Sequence, residues 1–127
     1  MRKLLLVITL ASGLHLAHAQ KSVYTELPGR LFSQGKEMFL NNNYVGCINT
    51  LQEFKNQSKD IKLMEEADYM IVSSLFYQGK AGDGTILKDF LDDYPESYHR
   101  NQISFFTGSI HFQQKDWNKA LHWFSQV

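Results

Sequence analysis

Two stretches of this chain, about 73 residues apart, carry one pattern of small and large residues. In the first, LFSQGKEMFLNNNYVGCINTLQEF, Gly35 is followed by Phe39, a polar break, Asn43-Tyr44, Cys47-Ile48, Leu51 and Phe54. In the second, ISFFTGSIHFQQKDWNKALHWFSQV, Gly108 is followed by Phe112, a polar break, Asp116-Trp117, Ala120-Leu121, Phe124 and Val127. From Trp117 the apolar residues recur at 3, 4, 7 and 10, which is one face of a helix. Each stretch therefore predicts two short helices joined by a tight polar turn. Asn43 and Asp116 stand where a helix N-cap would accept from free first-turn amides. A hairpin of this size cannot bury its apolar face alone, so repeated copies must stack. The expectation is an all-α chain.

The small residues fix the register. A glycine inside a helix costs about 1 kcal/mol against alanine, so it is kept where a neighbour packs in place of a Cβ. Gly35 and Gly108 hold that place in the first helix of each copy, and Cys47 and Ala120 hold the small place in the second. All four are expected at helix–helix contacts. Cys47 is the only cysteine and cannot close an internal disulfide; in this slot it acts as a small hydrophobe. A middle copy must lie between. Glu66–Gln78, extended back to about Asp60, supplies its first helix, with Ser73 in the small slot, Tyr77 matching Phe39 and Phe112, and Gly79 as a stop. Lys80–Gly84 breaks the pattern. A further helix resumes near Thr85 with Ile86, Leu87, Phe90, Leu91 and Tyr94 on one face and closes before Pro95. The repeats are expected over 31–59, 60–97 and 98–127, the last incomplete.

The pattern G-x-x-x-F-x-x-x-D-W-x-x-A-L-x-x-F at Gly108–Phe124 resembles the tetratricopeptide repeat. The ending Phe-Leu-x-x-Tyr-Pro-x-Ser at Phe90–Ser97 is similar to exported bacterial envelope members of that family. The resemblance covers roughly Leu31 to Val127. It implies a right-handed solenoid of αα-hairpins whose first helices line a concave face. It gives Gly35, Cys47, Ser73, Gly108 and Ala120, with the aromatics Tyr44 and Trp117, the role of packing between helices. It makes Phe39, Tyr77 and Phe112, which recur in three first helices, candidates to line a groove. Phe32, Met70 and Phe105 lie one register earlier, and Lys36, Ser74 and Ser109 are the polar first-helix candidates. The implied function is a non-catalytic scaffold that binds a peptide or a partner protein. The alternative is an N-terminal helical module of a longer enzyme or nutrient-binding envelope protein. An incomplete third copy makes the chain read as an N-terminal fragment.

Met1–Gln20 reads as an export signal. Arg2-Lys3 is followed by the apolar run from Leu4 and by the small-x-small site Ala17-His18-Ala19. The run is too short to span a bilayer, which takes about 20 residues. Cleavage is expected after Ala19, leaving 20–30 as a polar leader. No cysteine sits at the cleavage site, so no lipid acceptor is present there. These features predict a periplasmic protein, or one peripheral to the inner face of the outer membrane. The formal net charge is zero, so no basic excess points to nucleic acid. Gly79–Thr85 is glycine-rich but lacks the G-K-[ST] ending of a phosphate loop. Asp83, Asp89, Asp92 and Asp93 lack the spacing of a calcium loop. His99, His111 and His122 offer no i, i+4 metal pair; packing or surface roles are expected for them. No catalytic residue, metal or cofactor is expected.

Overall fold

The computed structural model describes residues 27–127. The expected export signal and most of the polar leader lie outside the described residues. Six helices and no strand occur within them. They are α1 over 27–40, α2 (Tyr44–Gln57), α3 (Ile61–Tyr77), α4 (Thr85–Asp93), α5 (Arg100–Gln113) and α6 (Trp117–Phe124). Consecutive helices pack as pairs, an architecture compatible with a helical repeat. Residues 27–30, assigned above to the leader, are already helical; Pro28 is tolerated there because the first turn of a helix has no use for its missing N–H.

The first helix of every pair ends in the same way. Asn42, Gly79 and Lys115 take left-handed φ values of 58°, 67° and 61°. In each case the next residue's N–H reaches back to the carbonyl five positions earlier: Asn43 to Met38, Lys80 to Leu75, Asp116 to His111, at 2.8–2.9 Å. This is the Schellman closure, which satisfies carbonyls that the helix itself leaves free. In the first and third pairs an N-cap follows at once: the Asn43 side chain accepts from Gly46 N and Asp116 from Lys119 N. The second pair interposes 78–84 instead. There Ala81 is buried as an extra core residue and Asp83 Oδ1 accepts from Thr85 N. Asp60 caps α3 by accepting from Lys62 N and Leu63 N.

The expected small–large contacts recur. A Cβ built on Gly35 would lie 2.5 Å from the Leu51 side chain, and one on Gly108 would lie 2.6 Å from the Phe124 ring. Leu51 and Phe124 are equivalent in the two copies. Glycine in α1 and α5 therefore lets the second helix of each pair approach closely.

Two cores share α3. One joins Leu31, Cys47, Leu51 and Phe54 to Ala67, Met70 and Ile71. The other joins Val72 to Leu87, Phe90, Ile103, Phe106 and Ile110. Tyr69 packs against both. Because α3 is covered on opposite sides, it is buried around much of its circumference, including Ser73 and Ser74.

Candidate binding surface

Among the proposed groove residues, the structure separates surface from interior. Tyr77 is 51% exposed; its ring stacks on Tyr44 at 5.3 Å and meets Phe106 edge-on at 5.4 Å. Burial of the inner edge, then the neighbouring phenols of Tyr69 and Tyr44, raise its pKa. Phe112 is 56% exposed and meets Trp117 edge-on at 5.1 Å. Phe39 is half-buried, with Tyr44 and Tyr69 each 6.2 Å away. Phe105 is exposed and packs one face toward Phe124 at 5.8 Å. Lys36 is exposed, Ser109 is half-buried with its hydroxyl donating to Phe105 O at 2.8 Å, and Phe32 is half-buried against Phe54.

Met70 and Ser74 are not surface residues. Both are buried, Met70 in the core that α3 shares with α1 and α2 and Ser74 beside Cys47 of α2. Transferring a groove position from α1 to α3 by register fails because α3 has a neighbour on the side where α1, among the described residues, has none.

The packing residues divide as well. Gly35, Cys47, Ser73, Gly108 and Ala120 are buried, and Tyr44 is half-buried under Tyr77. Burial pushes the Cys47 thiol above its ordinary value, opposed by the nearby Ser74 hydroxyl. Trp117, expected to pack between repeats, is instead 56% exposed. Tyr44 is covered because α3 crosses it; among the described residues no helix crosses Trp117.

Sequence reasoning missed a polar seam around α3. Glu66 accepts from the Tyr98 hydroxyl and lies 3.0 Å from His99 Nε2, while the His99 ring stacks flat on Tyr69. Asp68 accepts from Tyr94 Oη at 2.7 Å and pairs with Lys55. These carboxylates hold the phenols protonated: Tyr98 is pushed up to about 12, first by the hydrogen bond to Glu66, and Tyr94 well above the phenol range by burial and then by Asp68. The seam ties α2, α3 and the 94–99 turn together. These partners are far apart in sequence and share no local pattern, so only the fold brings them together.

Two cavities open between second helices. One, of about 280 Å³, is lined by Lys55, Asp68, Asp89 and Asp93 with Tyr94. The other, of about 540 Å³, brings His111 and His122 together beside Asp83, Lys88 and Lys119. His111 is buried, and its Nδ1 has no hydrogen-bond partner among the described residues. Among the described residues no three His, Cys, Asp or Glu side chains are arranged to hold a metal ion. No described helix is long and apolar enough to cross a membrane. The chain matches no family model, no curated protein and no solved structure.

Proposed function

We propose that the chain is a tetratricopeptide-type repeat that works as a non-catalytic protein-binding scaffold. An extended peptide or a partner protein lies along the aromatic row of its first helices. The observation that carries this reading is the pair of exposed rings, Tyr77 and Phe112, at the same place in successive hairpins, with Phe39 half-buried in line. Aromatic anchors supply much of the energy of such contacts, and a phenol suits a wet groove. Support for the tetratricopeptide geometry comes from the recurring glycine contacts of Gly35 and Gly108 and the identical helix closures at Asn42, Gly79 and Lys115. The export motif adds a location in the periplasm or at the inner face of the outer membrane; mass spectrometry of exported protein should find Gln20 as its first residue, and an intact Met1 would contradict export by this signal.

Peptides selected by display against the folded chain test the row. Tyr77→Ala and Phe112→Ala should each weaken the best binder by about thirtyfold, a loss of about 2 kcal/mol. Melting should change little, because both rings are half in solvent. If Tyr77→Ala instead lowers stability by several kcal/mol and leaves affinity per folded molecule unchanged, the row is internal packing and the reading fails.

A further inference from the structure

The cavity of about 540 Å³ between α4 and α6 draws its lining from three elements. Asp83 and Lys88 come from the α4 side, His111 from the end of α5, and Lys119, His122 and Trp123 from α6. Its volume is that of a small-molecule site, about 300–1,000 Å³. The cavity between α2 and α4 stays open although α5 and α6 follow it, so a cleft between second helices is not one that the next pair closes.

His111 is the buried member of this lining, at 9% exposure, and its Nδ1 is the polar atom left without a partner. Such an atom costs free energy until something supplies a hydrogen bond. The rest of the lining is rich in donors and poor in free acceptors. Both nearby carboxylates are already engaged as helix caps. Asp83 Oδ1 accepts from Thr85 N at 3.0 Å, and Asp116 accepts from Lys119 N and from the Lys119 ammonium, 2.9 Å away. An ammonium carries three donors, so Lys119 keeps two for a ligand. Lys88 pairs with no carboxylate among the described residues.

We propose that this cavity binds a small phosphate monoester. Its phosphate oxygens accept from Lys88 on one wall, Lys119 on the other and the imidazoles of His111 and His122, while its organic part lies on the Trp123 ring. Two ammoniums match the charge of a phosphate monoester, and three terminal oxygens serve both walls and the imidazoles at once. A carboxylate has one charge and two oxygens. Trp123 is half-buried and gives an aromatic wall to the ester group. None of Phe39, Tyr77 and Phe112 lines this cavity, so the site is independent of the aromatic row.

Phenyl phosphate is the probe, titrated into the folded chain by calorimetry and followed by the imidazole nitrogen resonances. It should bind saturably and shift the His111 resonances. Lys88→Gln should weaken it at least about tenfold with melting unchanged, since Lys88 is exposed. Lys62→Gln removes the same charge from a residue outside the lining and should change nothing, and Tyr77→Ala should leave binding intact. Inorganic phosphate, with no group for Trp123, should bind about tenfold more weakly. Absence of saturable binding overturns the proposal. So do equal losses in Lys88→Gln and Lys62→Gln, which would mean diffuse attraction to surface charge. Benzoate binding as tightly as phenyl phosphate overturns the phosphate assignment, and inorganic phosphate binding as tightly overturns the organic ester.

Discussion

The first and third helix pairs are written in the same pattern and meet different surroundings. Gly35 and Gly108 receive Leu51 and Phe124; Asn43 and Asp116 cap the second helix; Asn42 and Lys115 close the first. Inside each hairpin the two agree. Outside they diverge, since Tyr44 is roofed by Tyr77 while Trp117 faces solvent. On the opposite side, Met38 accepts from Thr50 in the first pair. The equivalent His111 and Trp123 border a polar cavity instead. Hairpin geometry follows from the repeat itself, whereas burial of its outer residues follows from what is stacked next to it.

The largest test of that contrast inverts the usual order of side-chain size. Leu51 is fully buried between α1 and α3, and Leu51→Ala should cost about 2–5 kcal/mol. Phe124 is equivalent and larger but only partly buried, so Phe124→Ala should cost less, about 1–2 kcal/mol. Denaturant melts of the two variants decide it. A greater loss at Phe124 would mean that the third pair is as well covered as the first.

Glycine substitution sharpens the comparison at lower magnitude. At Gly35 a new Cβ meets Leu51, which has nowhere to go, and the alanine should cost about 1–3 kcal/mol despite its better helix propensity. At Gly108 the clash is with a Phe124 ring that can swing outward, so Gly108→Ala should cost under about 1 kcal/mol. Equal losses would show that Phe124 is held as firmly as Leu51.

The small slots and both N-caps were legible because each depends on local spacing, which a helix converts directly into a face. The start of α4 at Thr85 and the stop at Gly79 were legible for a similar reason, as left-handed closure favours glycine. Helix α3 was misread at Met70 and Ser74 because a single-face pattern was carried onto a helix with neighbours on two sides. The exposure of Trp117 depends on which helix, if any, is stacked over it, and no residue within the repeat encodes that. The seam of Glu66, Asp68, Tyr94 and His99 joins the second pair across its hairpin through polar side chains whose partners are fixed only by the packed fold.

The smallest expected difference lies in the caps, and it is read by pH. Asn43 and Asp116 occupy the same position, yet only Asp116 titrates. Hydrogen bonds from the Lys119 side chain, 2.9 Å away, and from the Lys119 backbone hold the Asp116 carboxyl below its ordinary value. A carboxyl whose pKa is lower folded than unfolded contributes stability that is present above the unfolded value and lost as pH falls through the folded one. The third pair should therefore loosen below about pH 4 while the cap of the first does not respond. Asp116→Asn keeps an acceptor for the Lys119 amide but removes the charge, so it should flatten the acid limb of this local loss. Amide exchange of Lys119, followed from pH 6 to pH 3 in both proteins and corrected for intrinsic rates, reads it directly. The Lys119 amide should lose protection on acidification in the wild type and keep it in the Asp116→Asn variant. Parallel curves would mean that protonation of Asp116 does not govern this helix start, and the two caps would then be equivalent in kind as well as in place.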